Sequence, residues 1–194
     1  MRTSILAVVL FACSSKGPPE TRGVDVTTIK ADAVNALVPE PLRAKLVFAP
    51  AGIDETAMGK TRTFTMASPR GWYPKANIAW LDSPPVTDGP DAAGPPSSVS
   101  MIVRQIENEN WAGAAELREF LPLQGNAKIV KDDITPNRRT RIVDEGRLIE
   151  ILTVWTEPGA VDYAICDVTL FGDYRTAAAA FEKACEAVNV SGLR

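Results

Sequence analysis

Few side chains in this chain are suited to catalysis, because its 194 residues include no histidine and only three cysteines. Histidine is the commonest general base and metal ligand, so Ser-His-Asp and Cys-His arrangements are excluded. Glycine-rich phosphate loops and Gly-x-Ser-x-Gly elbows are absent from the sequence as well. Carboxylates and cysteines therefore remain as the candidate reactive groups, and we expect no cofactor and no metal.

One adjacent pair of carboxylates, Asp132 and Asp133, precedes Asp144 and Glu145 in the chain. Two carboxylates can act as general acid and base or bind a hard cation. Neighbours in a strand point to opposite faces, so Asp132 and Asp133 would not converge within a strand. A solvated strand end is therefore the favoured interpretation, and a hydrolase using Asp132, Asp133 and Glu145 is the alternative.

The first cysteine, Cys13, follows an apolar run over residues 5–12. That run is too short to cross a membrane, which needs about 20 residues. With Arg2 before it and the small residue Ala12 at its end, the run predicts a secretory signal peptide over residues 1–12. The chain is therefore expected to be exported.

Leu10-Phe11-Ala12-Cys13 resembles the lipobox of bacterial lipoproteins. The resemblance implies that a diacylglyceryl group is attached to Cys13, that the leader is cleaved before it, and that the new amino terminus is acylated. Two or three acyl chains hold a protein firmly to a bilayer. We thus expect a lipid anchor in a bacterial membrane, with Ser14 favouring the periplasmic face of an outer membrane. A plain leader with a chance cysteine is the alternative.

The other two cysteines, Cys166 and Cys185, lie in apolar patterns of different period. Cys166 falls on the apolar face of an alternating stretch, and Cys185 falls on the apolar stripe of a helical one. An even pair in an exported domain favours a disulfide, which would close a loop of about 20 residues and contribute about 3 kcal/mol. Two free buried thiols are the alternative.

The stretch PRGWYPK, residues 69–75, has the composition of a binding loop. Aromatic and cationic side chains together suit a flat or sugar-like ligand or a partner surface. The candidate contacts are Arg70, Trp72, Tyr73 and Lys75. The favoured alternative is that Trp72 folds back into the core and leaves Tyr73 exposed.

Three segments follow from composition: a signal peptide at 1–12, a lipidated cysteine and flexible tether at 13–43, and one globular domain at 44–194 with a Pro- and Gly-rich loop at 82–98. The net charge is −3, and Arg138, Arg139 and Arg141 form the sole basic cluster. Nucleic acid is therefore not an expected partner. We expect a monomeric domain that meets an envelope protein or a small ligand.

The positioning elements are short strands up to residue 107, a helix at 110–122, a run of antiparallel strands from 128 to 171, and a final helix capped by Asp173. A strand at 147–156 is apolar on both faces, so layers should cover it on both sides. The predicted fold is therefore α+β, with a central, mostly antiparallel sheet and helices on both faces.

This order of elements resembles the PsbP-like fold, which a photosystem extrinsic subunit shares with the Mog family of Ran-binding factors. The similarity rests on TFTMASPRGW early and YAICDVTLFGDYRTAAAAFEKACEAV late, and it implies an α/β/α sandwich. No motif of either family's function accompanies it. The expected function is a lipid-anchored envelope lipoprotein with a non-catalytic binding or protein-interaction module. The alternatives are a carboxylate-dependent hydrolase of an envelope polymer and a structural accessory of an envelope complex.

Overall fold

Strands dominate the computed structural model, which describes residues 30–57, 60–75, 79–82, 99–107, 125–160 and 162–190. The predicted signal peptide and Cys13 lie outside these residues, as do the loop beyond residue 82 and the predicted helix at 110–122. No helix within the described ranges is long and apolar enough to span a membrane.

Seven strands form the larger sheet, in which every neighbouring pair is antiparallel. The strands are β3 (Tyr73–Lys75), β4 (Ala79–Asp82), β5 (Ser100–Glu107), β6 (Lys128–Thr135), β7 (Arg138–Asp144), β8 (Leu148–Trp155) and β9 (Asp162–Phe171). Their spatial order is β3-β4-β5-β9-β8-β7-β6. The predicted run of antiparallel strands is confirmed as β6 to β9.

The turn between β8 and β9 shows how the sequence sets these connections. The Ala160 N–H donates to the Glu157 carbonyl at 3.0 Å, and Gly159 has a φ of 82°. Glycine tolerates this left-handed conformation, and proline before it has its φ preset for the turn. Pro158 and Gly159 thus occupy the central positions of a type II turn, as predicted.

A second, smaller sheet has the order β1-β2-β10, with all pairs antiparallel. Its strands are β1 (Phe48–Ala57), β2 (Lys60–Pro69) and β10 (Asn189–Val190). The first two of the strands predicted before residue 107 thus form a separate sheet with β10, which adds to the α+β architecture expected around the central sheet.

The carboxyl-terminal helix α2 (Ala178–Glu186) lies between the two sheets and buries its predicted apolar stripe. The Phe181 ring packs edge-on to Phe48 at 5.2 Å between centroids and lies 5.5 Å from Trp72. The predicted Asp173 cap is wrong. The chain enters α2 through a 3₁₀ turn, Gly172–Ala177, so the α-helix begins five residues after Asp173, with no side-chain cap hydrogen bond.

The large sheet is buried on both faces at β8 and β9. On the face toward α2, alternate residues of β9 such as Cys166, Val168 and Leu170 join the main core. The opposite face, which we call the far face, carries a smaller apolar cluster of Leu152, Val154, Tyr163 and Ile165. The two-sided burial predicted for β8 is confirmed, because Ile151 and Trp155 belong to the main core while Leu152 and Val154 belong to the cluster on the far face.

The packed part of the chain begins before the predicted start at residue 44, and this boundary needs correction. Helix α1 (Ala31–Asn35) and the 3₁₀ turn Glu40–Leu42 bury Val34, Val38 and Leu42 in the main core. The Asn35 side chain also hydrogen-bonds the Phe48 backbone at the start of β1. Composition alone suggested a tether because prolines at 39 and 41 interrupt regular structure, yet the apolar residues on either side of them still pack.

Candidate functional site

The disulfide predicted between Cys166 and Cys185 is confirmed. It joins β9 to α2 with Cα atoms 5.5 Å apart, and both residues are fully buried. The two patterns that carried the prediction place both cysteines at this strand–helix interface. A buried, structural role follows for this pair.

The turn at residues 69–75 separates two of the candidate contacts. Arg70 is exposed, whereas Trp72 is buried at 6% exposure. Trp72 packs on Phe181 and, edge-on at 6.2 Å, on Tyr174, and burial raises the pKa of the Tyr174 hydroxyl. Trp72 therefore takes the core position that the sequence analysis favoured, which removes it as an exposed contact. Tyr73 and Lys75 lie in β3, and their role in binding stays a prediction.

The indole N–H of Trp72 is buried without a hydrogen-bond partner within the described part of the chain. An unsatisfied buried donor costs about 1–3 kcal/mol, so aromatic packing must outweigh this cost. The ring contacts to Phe181 and Tyr174 supply that packing. Trp72 thus anchors the turn to the core, while Arg70 stays at the surface.

Asp132, on the far face of β6, is held by two arginines of β7. Arg139 binds it through two parallel hydrogen bonds of 2.7 Å, and Arg141 donates to the same carboxylate at 3.0 and 3.2 Å. Arg139 is buried at 3% exposure. These bonds, from Arg139 above all, hold the pKa of the Asp132 carboxyl below its usual value. Asp132 therefore stays ionised, its oxygens occupied by guanidinium groups.

Asp133 points to the opposite face, as the strand geometry predicted. Its carboxylate is 2.9 Å from the Lys131 ammonium, which also binds Glu182 of α2. Hydrogen bonds to Glu182 and then Asp133 raise the pKa of Lys131. Glu145 lies in the exposed β7–β8 turn, where its N–H donates to the Leu148 carbonyl. The three carboxylates of the hydrolase alternative are therefore not brought together.

A different pair of carboxylates does share a face. Glu150 of β8 pairs with Thr169, and Asp167 of β9 pairs with Leu152, so the two acids are diagonal neighbours on the far face. Burial raises the pKa of both carboxyls, and at Glu150 the charges of Glu145 and then of Asp167 raise it further. Arg104 of β5 opposes the rise at Asp167. Sequence reasoning missed this pair because its members lie 17 positions apart and meet only through the β8–β9 register.

The Glu150–Asp167 pair places two carboxyl groups with raised pKa values on neighbouring strands of the far face. A hard cation usually needs more ligands than two carboxylates. Among the residues that the structure describes, no group of three or more histidine, cysteine or acidic side chains is placed to hold a metal.

The basic cluster is engaged inside the chain. Arg138 lies over the Trp155 ring at 5.9 Å and donates to the Glu186 carbonyl, while Arg139 and Arg141 bind Asp132. Intramolecular contacts thus account for the placement of all three arginines.

Comparisons with known proteins give a weak structural likeness. No protein-family model and no curated protein matches the chain. A solved structure, the Ran-binding protein Mog1p of Saccharomyces cerevisiae, is similar with a TM-score of 0.48 and 10% sequence identity, covering 73% of this chain and 95% of that one. A likeness at this level says nothing about what this chain binds. The α+β fold with antiparallel sheets stands on the strand pairing itself.

Proposed function

We propose that this protein is a lipid-anchored cell-envelope lipoprotein whose globular domain is a non-catalytic binding or protein-interaction module. The observation that carries the second half is the dispersal of Asp132, Asp133 and Glu145. Asp132 is bound by two arginines, Asp133 lies on the other face, and Glu145 is in an exposed turn. General acid–base catalysis needs a pair that converges on one bond.

The anchor would be Cys13, in the lipobox-like sequence Leu10-Phe11-Ala12-Cys13. Cys13 precedes the first described residue, Lys30, by 17 positions. A chain of that length reaches at most about 55–60 Å when fully extended. The domain would therefore meet partners within that distance of the bilayer, on the periplasmic face of an outer membrane.

The contact surface would include the turn at residues 69–75. Arg70 is exposed there, and Trp72, two positions further on, is packed in the core and would hold the turn in place. Binding loses less entropy when the contacting loop is already ordered. Arg70, with Tyr73 and Lys75 as further predicted contacts, would meet an envelope protein or a small ligand.

Replacing the anchoring cysteine tests the first half of this proposal. In bacteria that express the full chain, Cys13→Ser should move the protein from the membrane to the soluble fraction and abolish palmitate labelling. Ser14→Ala, one position further on, is the matched control and should leave both readouts unchanged. Membrane retention and labelling in the Cys13→Ser variant would refute the anchor.

Crosslinking in intact cells tests the second half. A photoreactive residue in place of Arg70 should give one defined adduct, whereas the same residue in place of Glu157, exposed in the β8–β9 turn, should not. Identical adduct patterns from both sites would count against a specific contact at Arg70.

A second candidate function rests on the Glu150–Asp167 pair, which supports a carboxylate-dependent hydrolase of an envelope polymer. Glu150→Gln and Asp167→Asn would then each abolish release of soluble sugars from purified envelope polysaccharide. Unchanged release in both variants would remove this candidate.

A structural accessory role through the loop at 82–98 would be tested by deleting residues 84–96 and measuring the size of the native complex.

A further inference from the structure

Strand β6 forms one edge of the large sheet. Among the strands that the structure describes it pairs on one side only, with β7. Half of the backbone N–H and C=O groups of such an edge strand point away from the sheet, where they can pair with another strand. The edge is eight residues long, which is enough for a substantial added ladder.

Apolar side chains line this edge. Within the described residues four large hydrophobic side chains are exposed, and three of them are Ile129, Val130 and Ile134 of β6, at 45%, 62% and 47%. A bulge between Ile129 and Lys131 leaves Val130 without a partner on β7. Exposed apolar side chains along a pairing edge are a liability for a monomer and suit an interface.

The charges of β6 indicate what pairs with it. Lys131 and Asp133 lie two residues apart, on the face toward α2, on either side of Asp132. An antiparallel second copy of β6 centred on Asp132 would place Lys131 opposite Asp133 of the copy, and Asp133 opposite Lys131 of the copy. The same register would place Val130 opposite Ile134 of the copy, twice by symmetry.

We infer that β6 docks against β6 of a second copy of this chain, edge to edge, about a twofold axis at Asp132. Such an interface uses one surface patch on both copies, so a self-complementary pattern of charge and apolar residues is what it requires. Each Asp132 carboxylate is held by Arg139 and Arg141 of its own chain, which screens it from its symmetry mate. This dimer would replace the monomer expected from the sequence, and it is independent of the proposed function.

Charge reversal provides the test, with the full chain followed by sedimentation equilibrium in density-matched detergent. The wild-type chain should show a mass that rises toward that of a dimer with concentration. Lys131→Asp and Asp133→Lys should each weaken self-association about tenfold or more, because each places like charges opposite one another twice. An equimolar mixture of these two variants should associate again, since the reversed charges then complement each other.

The matched control is Lys128→Asp, which makes the same charge change on the same strand outside the paired charges. It should self-associate like the wild type. Thermal unfolding of each variant establishes that it is folded, because Lys131 also binds Glu182. A wild-type chain that stays monomeric, or a mixture of the two variants that does not associate, would overturn the inference.

Discussion

Arg139 binds both carboxylate oxygens of Asp132 across the β6–β7 pair, at 2.7 Å each. Bidentate pairs of this kind are the strongest charge-assisted hydrogen bonds in proteins. The Arg139 side chain is almost wholly buried, so this ion pair is largely shielded from solvent on the arginine side. The edge strand is thus fastened to the sheet by charge as well as by its backbone ladder.

Removing that carboxylate should destabilise the fold. We expect Asp132→Asn to lower the free energy of unfolding by about 2 kcal/mol at pH 7, because the charge-assisted hydrogen bonds from two arginines to this carboxylate are weakened. Asp133→Asn is the control and should change it by less than about 0.5 kcal/mol, since that pair is exposed. Urea unfolding of the three proteins measures both differences, and equal effects would contradict the assignment.

The same pair sets a dependence on acid. The folded pKa of Asp132 lies below its unfolded value, so the stabilisation is present above the unfolded pKa of about 4 and is lost as pH falls through the folded pKa. The difference between wild type and Asp132→Asn should therefore shrink below pH 4. Repeating the urea titrations at pH 7 and pH 3 checks this, and a constant difference would rule out an ionic origin.

Ionisation of Glu150 and Asp167 should have the opposite effect on the free energy of unfolding. Their pKa values are raised by burial, so ionisation above the unfolded pKa of about 4 costs stability in the folded state. Glu150→Gln and Asp167→Asn should thus raise the free energy of unfolding at pH 7 and leave it nearly unchanged at pH 3. Glu157→Gln, on an exposed turn, serves as the control and should have no effect at either pH.

The disulfide should contribute about 3 kcal/mol, since it constrains the unfolded chain between residues 19 positions apart. The double variant Cys166→Ala, Cys185→Ala should unfold at lower urea than the wild type and should not respond to reductant. The wild type should match it only when reductant is present during unfolding. A wild-type midpoint that ignores reductant would mean that the bridge is not formed.

Substitutions at Trp72 and at Arg70 should differ in their effect on the free energy of unfolding. Trp72→Ala is expected to cost about 3–5 kcal/mol, because a large buried ring is replaced by a cavity. Trp72→Phe should cost less, since it keeps an aromatic ring and removes the unpartnered indole N–H. Arg70→Ala should stay within about 0.5 kcal/mol of the wild type, because its side chain is exposed. Thermal unfolding of the three variants tests this ranking.

The face on which a residue lies within a strand or helix follows from the local residue period and could be predicted from the sequence. Contacts that depend on the pairing of two strands could not. Alternation in β9 and the helical stripe of α2 placed Cys166 and Cys185 correctly, and the strand period correctly separated Asp132 from Asp133. The diagonal pairing of Glu150 with Asp167 was not predicted, because only the β8–β9 register makes these two residues neighbours. The Asp173 cap failed because Asp173 lies inside a 3₁₀ turn, Gly172–Ala177, which precedes the start of α2.

The contact between Asn35 and Phe48 has a mechanical consequence. The Asn35 amide donates to the Phe48 carbonyl and accepts from its N–H, which clasps α1 to the start of β1. A pulling force that arrives from the amino-terminal side must break these two bonds before it reaches β1. Strand β9 and α2 are tied covalently behind them by the disulfide. Under such a force α1 would therefore detach from the domain first, while β9 and α2 stay joined by the disulfide.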